Sequence, residues 1–150
     1  MESELIQEVD RRSPQSLMGG LSILLVEDHD DSRLIFRMVL QQRGHSVKAA
    51  ATAEQALRFA ENTEFDLVIS DLCLPDVSGA ELMTILRDRY SMRGIAITGL
   101  EMDDDSQRIK SAGFDYHLTK PLDPASLDIV LAEIRARIGR DRSSADSSLA

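Results

Sequence analysis

Five short apolar runs, each followed by an amphipathic stretch, constrain this chain more than any other feature of its sequence. The runs lie at residues 21–27 (LSILLVE), 45–49 (HSVKA), 65–70 (FDLVIS), 94–98 (GIAIT) and 114–118 (FDYHL). The first is too uniformly apolar for a strand with one wet face and suits a sheet covered on both sides. Helical periodicity predicts helices over 32–43, 53–61, 80–89, 102–112 and 124–138. Leu34, Ile35, Met38 and Val39 share one stripe of the first. Leu82, Met83, Ile85 and Leu86 supply the buried face of the third, and Leu127, Val130, Leu131, Ile134 and Ile138 that of the last. Thr52 and Ser78 stand where N-caps belong, and Gly44 and Gly113 where helices stop. Strands alternating with helices in this way pair in parallel through right-handed crossovers. The expected architecture is α/β, a doubly wound sheet of five parallel strands with five helices.

Length and charge set outer bounds. A chain of 150 residues makes one domain and buries roughly two thirds of its unfolded surface, enough for a core without staples. A net charge of −9 and a pI near 4.7 repel a nucleic-acid backbone. The single cysteine, Cys73, excludes an internal disulfide and fits a reducing compartment. No apolar run approaches the ~20 residues that span a bilayer, and MESELIQEVDRR lacks the apolar core of a signal peptide. The expectation is a cytoplasmic protein with neither nucleic-acid nor membrane partners. Residues 1–20 read as a tail or linker, or as a short helix carrying Leu5, Ile6 and Val9. Residues 21–138 form the domain, and 139–150 (GRDRSSADSSLA) a disordered polar tail.

In a doubly wound sheet, ligands sit beyond the carboxyl ends of the strands, where strand order reverses. The first strand ends in Glu27-Asp28, the third in Asp71, the fourth in Thr98-Gly99, and the fifth leads to Lys120-Pro121. Each alone has an ordinary explanation: acids cap helices, Thr is a strand residue, and Lys-Pro is a loop. The fold, however, brings all four to one rim. Neighbouring carboxylates 4 Å apart repel by about 1 kcal/mol in water and about 4 kcal/mol at an intermediate dielectric, so the cluster calls for a counter-ion. Oxygen ligands on an open rim suit Mg²⁺. Lys120 adds a fixed positive charge, while the Thr98 hydroxyl and Gly99 amide can donate to a tetrahedral oxyanion. The chemistry that fits is phosphoryl transfer to a carboxylate. Asp71, on the central strand opposite Thr98 and Lys120, is the candidate nucleophile.

The motifs LLVEDHDDSR, DLVISDLCLPDVSG, IAITG and AGFDYHLTKP, spread over residues 21–138, resemble the receiver domain of two-component response regulators. The resemblance implies a flavodoxin-like sheet of order 2-1-3-4-5. It also implies that Asp71 accepts a phosphoryl group from a histidine of a sensor kinase or a histidine phosphotransfer domain. Mg²⁺ would be held by Asp28, Asp71 and the Cys73 carbonyl, with Glu27 acting through water. Lys120 would pair with the phosphoryl oxygens, Thr98 would move towards them, and Pro121 would follow a cis peptide bond. Output to a downstream protein would run through the face of helix 4, strand 5 and helix 5.

Two positions depart from the family pattern. His117 stands where Tyr or Phe is usual, with Tyr116 beside it. It is either an exposed strand residue or an imidazole switch or partner contact. Cys73 and Leu100, two beyond Asp71 and Thr98, orient water poorly, which implies slow loss of phosphate; Cys73 is a turn filler or a redox thiol. A stand-alone regulator and the receiver of a hybrid kinase both remain open, as does a degenerate receiver that only binds proteins. A flavin site, a P-loop and a capped phosphatase each lack a needed element: a Ser/Thr/Gly-rich phosphate loop, GxxxxGK[ST], and a second acid at Cys73 with room for a cap.

Overall fold

The computed structural model describes residues 20–99 and 106–149. Its elements are β1 (Ser22–Val26), α1 (Asp30–Gln42), β2 (Ser46–Ala50), α2 (Ala53–Asn62), β3 (Leu67–Asp71), α3 (Gly79–Tyr90), β4 (Arg93–Thr98), α4 (Ser106–Ala112), β5 (Tyr116–Thr119) and α5 (Pro124–Leu149). The strands form one parallel sheet in the order β2-β1-β3-β4-β5. This is the doubly wound parallel sheet that the alternation of apolar runs predicts, in the flavodoxin-like order that the resemblance implies.

Period-two alternation along the central strands feeds two cores. Leu24, Val26, Val68 and Ala96 point to the layer of α2, α3 and α4, meeting Ala56, Ala60, Leu82, Met83, Leu86 and Ile109. Ile23, Leu25, Leu67, Ile69, Ile95 and Ile97 point to the layer of α1 and α5, meeting Phe36, Leu40, Leu127, Leu131 and Ile134. Both faces are dry, so these strands read as unbroken apolar runs.

Local chemistry fixes the helix starts. The Thr52 hydroxyl accepts from Gln55 N–H at 3.1 Å, and the Ser78 hydroxyl accepts from Glu81 N–H at 3.1 Å. Asp76, from the loop after β3, reaches across to α2 and accepts from the amides of Ala53 (3.0 Å) and Glu54 (2.9 Å). What burial it has opposes ionisation, but these amides hold its carboxyl below the usual range. The contact ties the β3–α3 loop to the neighbouring helix.

Two expectations differ from the structure. Of the stripe Leu34, Ile35, Met38 and Val39, the first three face solvent while Val39 is half-buried against the core, and α1 is buried chiefly through Phe36 and Leu40. The helix carries apolar residues on two faces. Packing against Leu127, Leu131 and Ile134 of α5 selects the one bearing the aromatic ring. The last helix continues through Gly139 to Leu149, where the polar composition predicts a disordered tail. One glycine costs a helix about 1 kcal/mol relative to alanine without ending it, and no proline follows. The beginning of the helix expected at 102–112 lies outside the described residues.

Gly79 opens α3 against the backbone of the β3 turn. A Cβ there would collide with the Asp71 carbonyl oxygen and stand 2.9 Å from Leu72 Cα. Gly79→Ala is therefore expected to destabilise the domain by about 1–3 kcal/mol, measured by urea denaturation. His45 is buried and its Nδ1 accepts from Leu21 N–H at 2.9 Å. Burial, reinforced by the Arg135 and Arg43 charges, pushes its pKa down. The unfolded chain takes up a proton near pH 6.5 that the folded chain resists, so this contribution is present above that pH and lost as pH falls. Stability measured from pH 7.5 to 5.5 should decline less steeply in His45→Asn, which keeps an acceptor but does not titrate.

Candidate functional site

The register sets the carboxyl ends of β1, β3, β4 and β5 side by side: Val26 pairs with Ser70, Asp71 with Ile97, and Thr98 with Thr119. Glu27 continues β1, donating its amide to Ala50 O at 3.0 Å. Its side chain is buried, as is that of Asp71 (residue exposures of 3% and 8%). Lys120 arrives from beyond β5. Its amide donates to Thr98 O at 2.8 Å, and its Nζ lies 2.9 Å from Asp71 Oδ2 and 3.3 Å from both Glu27 oxygens. The Lys120–Pro121 peptide bond is cis.

The electrostatics follow from this crowding. Burial raises the Glu27 pKa, and the Asp71 carboxylate beside it raises it further, against the opposing pull of Lys120. Burial works to lower the Lys120 pKa, but contact with Asp71 and Glu27 outweighs it and holds the ammonium above its ordinary range. The lysine side of these ion pairs is thus lost as pH rises through that elevated value, and the Glu27 side as pH falls through its own raised value.

One lysine does not satisfy every acid. Asp28 Oδ1 is buried and has no hydrogen-bond partner among the described residues. Ligand atoms of Glu27, Asp28, His29 and Asp71 all lie within 4.8 Å of one another. An orphaned carboxylate oxygen within a group of acids fits a hard, oxygen-seeking divalent cation. Cys73 N–H donates to Asp71 Oδ1 at 3.0 Å, keeping the Cys73 backbone at the rim, while the side chain is exposed.

Thr98 is buried with its hydroxyl directed at Leu118 O (3.5 Å), a weak bond at the limit of useful geometry. Gly99 follows at the edge of the described segment, and Leu100 lies outside it. His117 is exposed on β5, while Tyr116, half-buried, carries the Arg137 guanidinium 4.9 Å from its ring centre.

Two residues of the site escape a reading of acids and strand ends. His29 Nδ1 lies 3.1 Å from Glu27 Oε1 and 3.3 Å from Asp28 Oδ1. Its signal was its place directly after the acidic pair. Arg33 donates to Glu27 O at 3.0 Å and to Asp30 at 2.7 Å, bracing the β1–α1 turn. Nothing in the sequence separates it from other helix arginines.

Comparison with known proteins agrees with this geometry. Residues 23–132 match the family model described as the response regulator receiver domain. The aerobic respiration control sensor protein ArcB of Escherichia coli is 35% identical over 118 residues, covering 76% of this chain but only 15% of ArcB. The polar-differentiation response regulator DivK of Brucella ovis is 31% identical over 104 residues, 67% of this chain and 85% of DivK. Among solved structures, a CheY-like response regulator receiver domain protein of Methanospirillum hungatei superposes with a TM-score of 0.73 at 31% identity. It covers 81% of this chain and 98% of its own. Chemotaxis response regulator CheY4 of Vibrio cholerae gives a TM-score of 0.70 at 28% identity, covering 77% and 98%. With its sheet order, its acidic rim and these similarities, the chain belongs to the response regulator receiver domain family.

Proposed function

We propose that this domain is the phosphoacceptor of a two-component phosphorelay, taking a phosphoryl group from a phosphohistidine onto Asp71. The observation that carries the reading is Asp71, held 2.9 Å from Lys120 Nζ within a group of acids that includes the orphaned Asp28 oxygen. The Asp71 carboxylate attacks phosphorus, the P–N bond breaks, and the imidazole leaves, so that an acyl phosphate replaces a phosphoramidate. Lys120 neutralises charge on the transferred group, and the Thr98 hydroxyl and Gly99 amide donate to its oxygens. Asp28, Asp71 and the Cys73 carbonyl would hold Mg²⁺, with Glu27 acting through water. The ion, when bound, offsets the negative charge developing on the phosphoryl oxygens.

Thr98 is buried and bonded only weakly to Leu118 O, which supports its role as the switch residue: turning towards a phosphoryl group gives up little. His117 lies exposed on the adjacent strand, and in this reading it belongs to the output surface of α4, β5 and α5 rather than to an inward-turning switch. The donor is a sensor histidine kinase or a histidine phosphotransfer domain, and the recipient a downstream protein, in the cytoplasm. The receiver unit spans residues 21–138. The matched stretch is most of DivK and a small part of ArcB, so a stand-alone regulator and a module of a longer sensor are both compatible with it.

Incubation with acetyl phosphate and Mg²⁺, read by Phos-tag mobility, should retard the wild type and leave Asp71→Asn unshifted. A shift that survives the substitution removes Asp71 from its role. No retardation of the wild type would favour a receiver that only binds proteins. Asp28→Asn removes a charge among neighbouring carboxylates whose buried oxygen accepts no hydrogen bond among the described residues. It should therefore raise stability in chelator by about 0.5–2 kcal/mol while abolishing the stabilisation that millimolar Mg²⁺ confers on the wild type. Both are read as thermal midpoints.

A further inference from the structure

His29 sits within the acidic rim, yet the phosphoryl transfer proposed above gives it no part. It occupies the N-cap of α1, a position favoured by short side chains whose oxygen accepts from the first helical amides. Its own side chain makes no capping hydrogen bond. The imidazole reaches back to the acids before it, with Nδ1 3.1 Å from Glu27 Oε1 and 3.3 Å from Asp28 Oδ1. The ring is 70% exposed, so these polar contacts, not packing, hold it at the rim.

An ion pair between a protonated ring and the acids is the simplest account of the two contacts, and it leaves one atom unexplained. Nδ1 is hydrogen-bonded to Glu27, whereas Asp28 Oδ1 is buried and accepts no hydrogen bond among the described residues. One Nδ1–H does not serve both acids. A cation bound to both Nδ1 and Oδ1 would. Ligands about 2.1 Å from an octahedral cation stand about 3.0 Å apart along each edge. The 3.3 Å between Nδ1 and Asp28 Oδ1 is close to such an edge. Ligand atoms of Glu27 and Asp71 complete a group in which all lie within 4.8 Å of one another. Neutral imidazole with its proton on Nε2 presents the Nδ1 lone pair to a metal.

A nitrogen ligand changes which cation such a site prefers. Mg²⁺ takes oxygen ligands and keeps several waters. Imidazole suits first-row transition ions such as Ni²⁺ and Zn²⁺. Carboxylates alone would give the rim the donor set of a Mg²⁺ site, whereas His29 makes the set a mixture of oxygen and nitrogen.

We propose that His29 Nδ1 is a ligand in the metal site of Asp28 and Asp71 and biases that site towards divalent transition cations over Mg²⁺. The inference rests on the metal site of the proposed function and adds a residue to it. Isothermal titration of the full chain with Ni²⁺ and with Mg²⁺, wild type against His29→Gln, tests it. The variant keeps a hydrogen-bonding side chain at an exposed position but lacks the imidazole. Its Ni²⁺ affinity should fall at least about tenfold while its Mg²⁺ affinity changes by less than about threefold. X-ray absorption at the nickel edge should show the outer-shell scattering of an imidazole in the wild type and lose it in the variant. Equal losses for both cations would make His29 a positioning residue for the acids. An unchanged Ni²⁺ affinity, or an imidazole signal that survives the substitution, would remove it from the site. Each of these results overturns the proposal while Mg²⁺ binding by the wild type still supports the acceptor reading. Failure of the wild type to bind Mg²⁺ would overturn the metal site and the proposal together.

Discussion

One ammonium group stands between two buried carboxylates at the carboxyl edge of this sheet, and the site's geometry hangs on it. At an effective dielectric of about 20, opposite charges 3 Å apart attract by roughly 5 kcal/mol. Lys120 makes such contacts with both Asp71 and Glu27. Without that cation the two acids would face each other with little solvent between them. With it, the rim still carries more negative than positive charge, since Asp28 adds a third carboxylate. The elevated Lys120 pKa reflects this excess of acid, and the Glu27 pKa, raised first by burial, is raised further by Asp71 beside it. A second cation completes the arithmetic of charge, which is why the cluster suits a divalent metal rather than a purely structural ion-pair network.

The supporting structure serves mainly to hold those charges in place. Parallel register brings the strand ends level. The close approach of Gly79 to the Asp71 carbonyl, the Asp76 clamp on α2 and the Arg33 brace beneath Glu27 lock the loops that carry the acids. Domains of this size are stable by only some 5–15 kcal/mol, so a buried carboxylate oxygen without a partner is a substantial concession. Sites that bind or react keep such concessions because the missing partner arrives with the ligand.

Helix α1 shows how far a pattern of apolar residues can mislead. Leu34, Ile35 and Met38 make one apolar face and Phe36, Val39 and Leu40 another, about half a turn apart. Both satisfy helical periodicity. The sequence therefore establishes a helix without establishing which side is buried. The Arg43–Asp128 ion pair and the apolar face of α5 decide it. The acidic rim behaved differently: strand ends are set by where apolar runs stop, so Glu27, Asp28, Asp71, Thr98 and Lys120 were legible as a group before any coordinates. His29 and Arg33 were not, because a histidine at the N-cap or an arginine in the first turn of a helix has no periodicity to mark it.

Local periods and punctuation by themselves determined the number and order of elements, the parallel sheet and the identity of the residues at its carboxyl edge. Those properties depend on neighbours within one or two turns of chain. Only the tertiary structure decided that Lys120 is shared between Asp71 and Glu27, that Asp28 Oδ1 accepts no hydrogen bond among the described residues, and which face of α1 meets solvent. Each depends on distances between segments far apart in sequence. Coulomb attraction and close packing act through space, and no spacing along the chain encodes them.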